Sequence, residues 1–285
     1  MFIKLFSLIK KMFNFSSRKE GCVSIVYLHG IIGSSNSITK KGELSLKSLK
    51  ANIDRAFSNK NNKAVVLSIN SPGGSPVQSE LICNYIKLRS KKYNTPIISY
   101  VEDVAASGGY WIACSSPEIY GSENSIIGSI GVISASFGFV EVIKRIGVER
   151  RVIAQGENKS IYDPFKPVAK KDKEIIQSIQ KDIHESFINH VQNSRGNRLS
   201  KSNKSIFSGE FWSGKNAKKY GLIDGTMDMY EMIAKKFGEE VKVCCIHEKK
   251  SFLSKLIKME SFSESIVDSA YARIKQEVLN SKYNV

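Results

Sequence analysis

Ser107 stands in Val-Glu-Asp-Val-Ala-Ala-Ser-Gly-Gly-Tyr-Trp-Ile-Ala (101–113), with a strand-like apolar run before it and a helix-like one after it. Small Ala105, Ala106, Gly108 and Gly109 let a backbone turn sharply and approach another chain closely, which is how a strand-to-helix elbow presents a hydroxyl. A serine hydroxyl becomes a useful nucleophile only when a neighbouring base removes its proton. Four histidines could supply one: His29, His184, His190 and His247. None lies in a triad-like context, since His184 and His190 fall on a long amphipathic stretch and His29 ends a strand at a glycine turn. Lysine serves instead when desolvation leaves its amine neutral. Lys159 lies in the loop Gly-Glu-Asn-Lys-Ser-Ile-Tyr-Asp-Pro-Phe (156–165), 52 residues after Ser107 and past a strand.

A second glycine-rich turn, Asn-Ser-Pro-Gly-Gly (70–74), follows an apolar strand at 64–69. The elements that must position these residues alternate. Strands are expected at 21–29, 64–69, 96–101, 118–121, 129–134 and 149–154, with helices at 44–58, 76–90, 107–114 and 139–146. That alternation predicts an α/β fold with a mainly parallel sheet. Beyond Pro167 the pattern changes to a long helix over 172–193, a turn-rich 206–212, a helix at 230–237 and a strand at 241–245. Three segments follow: a basic N-terminal stretch (1–20), a globular domain (21–245) and a charged helical appendage (246–285).

The chain of 285 residues is long enough for a substantial core, and its 41% hydrophobic and 25% charged content is ordinary for a globular protein. The net charge of +16 is not. Lysines scattered along the chain fit either a biased composition or an anionic partner, a phospholipid surface before a nucleic acid, because no aromatic–basic pattern of an RNA-binding fold is present. Five cysteines, two of them adjacent, have no metal-ligand spacing, so no metal is expected and reduced thiols of a cytosolic setting fit best. In residues 1–15, Phe2, Leu5, Phe6, Ile9, Met12 and Phe13 recur at helical spacing while Lys4, Lys10 and Lys11 interrupt any apolar run. The stretch is too short for a membrane span or an ordinary cleaved signal peptide. It fits an interfacial helix on an anionic membrane or a helix docked on protein.

In four ordered motifs the chain resembles the signal peptide peptidase A family, the S49 peptidases. They are Ser-Ile-Asn-Ser-Pro-Gly-Gly (68–74), Ala-Ala-Ser-Gly-Gly-Tyr-Trp-Ile-Ala (105–113), Ile-Gly-Ser-Ile-Gly-Val-Ile (127–133) and Gly-Glu-Asn-Lys-Ser (156–160), with a later Gly-Leu-Ile-Asp-Gly (221–225). The resemblance implies repeated strand–strand–helix units of the caseinolytic protease and crotonase superfamily. It implies Ser107 as nucleophile, Lys159 as general base and Ser129 as the hydroxyl that orients the lysine. Backbone N–H groups of Gly74 and Gly108 would form the oxyanion hole, with Gly73 and Gly109 lining the substrate. The implied activity is ATP-independent cleavage of short apolar peptides, such as signal-peptide remnants, by a homo-oligomer without cofactor. Members typically carry an N-terminal transmembrane helix, where this sequence shows a short basic amphipathic segment. The implied setting is bacterial, in the cytoplasm or peripherally attached to the inner membrane. A catalytically silent scaffold or membrane-surface binding protein of the same fold is the alternative, motivated by the charge and residues 1–15.

Overall fold

The structure is a computed structural model that describes residues 21–33, 43–200 and 204–246. The expectations for residues 1–20 and for 247–285 lie outside these residues. In chain order the elements are β1 (Cys22–His29), β2 (Ile31–Ile32), β3 (Glu43–Leu44), α1 (Leu46–Ser58), β4 (Asn62–Ser71), α2 (Pro76–Tyr93), β5 (Ile97–Ala106), α3 (Gly108–Ala113), β6 (Glu118–Gly121), β7 (Ile126–Gly128), α4 (Val140–Arg145), α5 (Lys170–Arg195), β8 (Phe211–Ser213), α6 (Gly214–Lys219), β9 (Gly225–Thr226), α7 (Met229–Phe237) and β10 (Lys242–Ile246).

The main sheet runs β10-β1-β4-β5-β6-β9 with every one of these pairs parallel, and only β7–β8 is antiparallel. The fold is therefore the mixed α/β arrangement with a mostly parallel sheet that the alternation implies. A strand–strand–helix order is visible where β1 is followed by short β2 and β3 before α1, and where β6 is followed by β7 before α4.

Strand residues reach both faces of the sheet because side chains alternate. Val26, Leu28, Val65, Leu67, Ile69, Ile97 and Val101 belong to the larger core, with α1, α2, α3 and α5 residues such as Ile53, Ile82, Tyr110 and Phe187. Val23, Ile25, Val66, Ile98 and Tyr100 face the other way and are covered by Met229, Met232 and Ile233 of α7. Burial on both faces explains why these strands read as continuous apolar runs in the sequence.

Helix starts follow local chemistry. Ser45 caps α1 in a reciprocal capping box with Ser48, and Ser75 caps α2 with Pro76 in its first turn. Asp228 caps α7 by accepting from the N–H groups of Tyr230 and Glu231. At the far end of α2, Asn94 takes the left-handed conformation (φ 48°) that closes a helix before a strand.

Two expected strands are absent. Residues 149–154 form no strand and are exposed, and the strand expected at 129–134 lies earlier, as β7 at Ile126–Gly128. The physical reason is the same for both. From Gly131 to Val168 the chain leaves the sheet as an arm, so its apolar residues, Ile133 (89% exposed), Phe137 (80%) and Ile146 (67%) among them, have no sheet face to cover. The arm is tied to itself: Phe139 N–H donates to Pro164 O at 2.6 Å, and Arg150 pairs with Asp163 at 3.0 Å while lying over the Phe165 ring.

Candidate functional site

β5 carries its chain straight to Ser107, whose backbone (φ 52°, ψ −122°) lies in a region that non-glycine residues avoid. Such strain persists only where surroundings over-determine it, and it concentrates at functional positions. Here two hydrogen bonds fix it: Ser107 N–H donates to Gly128 O at 2.9 Å, and Ser107 O accepts from Trp111 N–H at 3.0 Å. The strand-to-helix elbow expected from the small residues around Ser107 is thus present.

The glycines do what only glycines can at this spot. A Cβ on Gly74 (φ 143°) would stand 2.0 Å from Ile32 O, and one on Gly108 would stand 2.3 Å from Ser79 Oγ. The two loops therefore touch backbone to backbone, with Gly73 pressed against Ala106 O and the Ser107 Cβ and Gly109 against Ser71 O. The 73–74 turn is held by Ile32, whose N–H donates to Gly73 O (2.8 Å) and whose O accepts from Ser75 N–H (2.8 Å). Ser71 Oγ accepts from Gly73 N–H at 3.2 Å. The N–H groups of Gly74 and Gly108 meet no acceptor among the described residues, so two donors stand free beside the Ser107 side chain. Free donors of this kind can receive an oxygen that becomes negative during reaction.

Ser129 comes alongside. Ala106 pairs with Gly128 in the β5–β7 register and Ser107 N–H reaches Gly128 O, so Ser107 and Ser129, the residues that follow the two strands, are neighbours. Ser129 also has a positive φ (52°), and its N–H donates to Glu210 O at 2.6 Å. Lys159 is different. It lies in a turn of the arm, its N–H donating to Gly156 O at 3.1 Å, and its side chain is exposed. No hydrogen bond joins its amine to Ser107 or Ser129 in the single chain. The structure thus gathers Ser107, Ser129, Gly73, Gly74, Gly108 and Gly109, and leaves Lys159 apart.

The described histidines are engaged elsewhere. His184 Nε2 donates to Ile130 O (3.1 Å) and His190 Nε2 to Trp111 O (3.0 Å), both carbonyls being able only to accept. His190 also stacks on the Trp111 ring, with centroids 5.0 Å apart, and burial pulls its pKa down to about 4. His29 is tied to Ser68 and Glu102, on the sheet face carrying Tyr27. Behind the elbow, burial pushes Cys83 up to about 12 and Cys114 up to about 11, so neither competes as a thiolate.

Support for α3 comes from residues that sequence reading did not single out. Tyr110 Oη donates to Leu222 O at 2.7 Å. Arg195, fully buried, donates to both Asp224 oxygens at 2.9 Å and to Gly221 O at 2.9 Å. Asp224 also accepts from Arg198 (3.0 Å) and from Ile119 N–H (2.8 Å). Burial alone would raise the Asp224 carboxyl, yet these donors and the two guanidinium charges hold it below the usual carboxylate range. The Gly-Leu-Ile-Asp-Gly motif is therefore a clip joining α5, β6 and α3. Ile32 and Ser71 were also missed, although Ile32 lies in a short apolar pair bracketed by Gly30 and Gly33. Among the described residues no cluster of histidine, cysteine or carboxylate side chains could hold a metal ion.

The model of a family described as Peptidase family S49 matches residues 89–243. A Brucella melitensis protein named Na(+)/H(+) antiporter NhaA is 44% identical over 82% of this chain and 31% of its own length. Protease 4 of Haemophilus influenzae is 32% identical over 75% of this chain and 34% of its own. The chloroplastic serine protease SPPA of Arabidopsis thaliana is 30% identical over 72% and 31%. The chain thus spans about a third of the length of these relatives. Among solved structures, a 1510-N membrane-bound stomatin-specific protease mutant in complex with a substrate peptide has a TM-score of 0.48 at 19% identity, covering 84% of this chain and 96% of that one.

Proposed function

This chain belongs to peptidase family S49, and from that premise we propose that it is a serine endopeptidase cleaving short, extended, apolar peptides, signal-peptide remnants among them, without ATP. The observation that carries the reading is the strained Ser107 elbow with two unengaged N–H donors, from Gly74 and Gly108, next to it. Ser107 Oγ attacks the peptide carbonyl while the Lys159 amine takes its proton. The carbonyl oxygen, now an oxyanion, is received by the two N–H groups, each contributing about 3–4 kcal/mol to the barrier reduction. The tetrahedral intermediate collapses with loss of the amine, to which Lys159 returns the proton, leaving Ser107 acylated. A water that gives its proton to Lys159 then attacks the ester and restores the serine. Ser129, beside Ser107, holds the lysine amine through its hydroxyl, and Gly73 and Gly109 line the peptide.

A charged, solvated lysine cannot act in this way. The exposed apolar side chains of the arm that carries Lys159 support a homo-oligomer in which a neighbouring copy covers the arm and desolvates the amine. Assembly thus belongs to the mechanism. The same reading has the protein act in the bacterial cytoplasm or at the periphery of the inner membrane, and the amphipathic pattern of residues 1–15 is the sequence feature that supports peripheral contact. No helix among the described residues is long and apolar enough to cross a membrane.

Turnover of casein or a fluorogenic peptide tests the reading. Ser107→Ala and Lys159→Ala should each abolish it, and wild-type turnover in either variant would refute the assignment. A catalytically silent scaffold is the second reading, favoured by one observation, the exposed Lys159 without a bond to Ser107. Vesicle binding by a wild-type chain with no turnover on any peptide would select it.

A further inference from the structure

In a parallel sheet all strands start at one pole and end at the other. Ser107 marks the ending pole of this one. The starting pole holds Cys22, Asn62, Ile97, Glu118 and Lys242, the first residues of β1, β4, β5, β6 and β10. Helices that return from the ends of strands to their starts put their own last turns at the starting pole. Those last turns are basic: Lys91 and Lys92 in α2, Lys218 and Lys219 in α6, Lys235 and Lys236 in α7. Contacts confirm the placement. Lys63 Nζ, at the start of β4, donates to Phe237 O, the last residue of α7, at 3.3 Å. Lys236 pairs with Glu118 at the start of β6 at 2.6 Å. The chain just after α6 lies against Arg198, which donates to Pro117 O at 2.6 Å, while Ser200 N–H donates to Tyr220 O at 3.0 Å.

Charge at this pole is unbalanced. Lys60, Lys91, Lys92, Lys218, Lys219 and Lys235 are exposed and form no ion pair with any described carboxylate. Of the nearby acids, Glu118 is taken by Lys236 and Asp224 by Arg195 and Arg198, leaving Glu239 and Glu240. Tyr93, 40% exposed beside Lys92, adds a ring of the kind that settles at headgroup level. An independent feature converges on the same place. Residue 21, which precedes the first residue of β1, is where the segment 1–20 joins, and that segment carries Lys4, Lys10, Lys11, Arg18 and Lys19 among its apolar residues.

We propose that the pole formed by the strand starts, with Lys60, Lys91, Lys92, Lys218, Lys219 and Lys235, is a docking surface for an anionic phospholipid membrane. Clustered lysines on one surface are attracted to anionic headgroups, and the apolar residues of the attached segment find hydrocarbon there, which a nucleic acid would not offer. Ser107 then faces away from the membrane, because the ten residues of β5 set it about 30 Å from the docked pole. This inference does not depend on the peptidase reading.

The test compares two full-length quadruple variants on vesicles of 3:1 phosphatidylcholine and phosphatidylglycerol by flotation. One is Lys60→Gln/Lys91→Gln/Lys92→Gln/Lys235→Gln, and the control is Lys47→Gln/Lys50→Gln/Lys173→Gln/Lys181→Gln on other surfaces. The polar variant should partition on the order of several hundredfold more weakly than wild type, at about fivefold for each of its four lysines, and the control within about threefold. Both should keep the wild-type melting temperature, and on a soluble peptide, without vesicles, the wild-type turnover, whatever that turnover is. Equal weakening in both variants, no binding of wild type to these vesicles, or tighter binding to a 30-mer RNA than to vesicles with the same lysine dependence would each overturn the proposal.

Discussion

Replacing Asp224 by alanine should cost more stability than any other single surface-accessible carboxylate in the domain. Its oxygens receive both Nη atoms of a fully buried Arg195 at 2.9 Å, Arg198 at 3.0 Å and the Ile119 N–H at 2.8 Å. Asp224→Ala strands the Arg195 guanidinium in the interior, and breaking a buried pair from one side costs about 3–5 kcal/mol. At roughly 2–4 °C per kcal/mol for a domain of this size, the melting temperature should fall by about 6–20 °C. The double variant Arg195→Met/Asp224→Leu removes the stranded charge together with its partner, so it should recover at least about 1 kcal/mol of that loss despite the unpaired Gly221 carbonyl. The pH dependence has a definite sign. Because the folded carboxyl is held below its unfolded value, the stability it contributes is present above pH ~4 and is lost as pH falls through the folded pKa. Calorimetry at pH 7 measures the first effect. A fall below 2 °C for Asp224→Ala, or a double variant less stable than the single one, would show that the Gly-Leu-Ile-Asp-Gly clip does not carry this load.

Three further outcomes follow from the site and its support. Gly74→Ala forces a Cβ to within 2.0 Å of Ile32 O and displaces one free N–H, so kcat should fall by about 10²–10³ with the protein still folded by circular dichroism. His190 is held neutral by burial, with a pKa near 4 against about 6.5 unfolded, so the unfolded chain takes up a proton between those values that the folded one does not. Stability therefore declines as pH drops through that window, and His190→Gln, which keeps a donor for Trp111 O, should reduce the pH 7 to pH 5 loss in denaturant titrations by about 2 kcal/mol. Ile153→Glu on the exposed arm should lower the mass of the assembly in light scattering and turnover with it, whereas a monomeric wild type would remove the reason for covering the arm.

Much of the frame was legible because burial on both faces leaves a strong mark. The strands at 22–29, 62–71 and 118–121 are apolar runs bounded by turns, and α5 carries its periodicity openly. The elbow was legible too, since Ala-Ala-Ser-Gly-Gly can hardly pack otherwise. The arm was not. Its Val152 and Ile153 read as a buried strand because composition reports that a residue wants cover, not which surface supplies it. Short β2, β3, β8 and β9 were invisible for a different reason: two- or three-residue strands have no period, and their pairing depends on partners distant in sequence. The Arg195–Asp224 clip joins residues 29 apart that no local pattern links, and only the glycine-bounded Asp224 hinted at it.

The central claim is that the Ser107 hydroxyl is the nucleophile and that the Lys159 amine activates it. A fluorophosphonate probe reacted with the native protein, followed by peptide mapping by mass spectrometry, measures this most directly. The adduct should sit on Ser107 alone, and its rate of formation should collapse in Lys159→Met. An adduct on another serine, or an unchanged labelling rate without Lys159, would contradict the account.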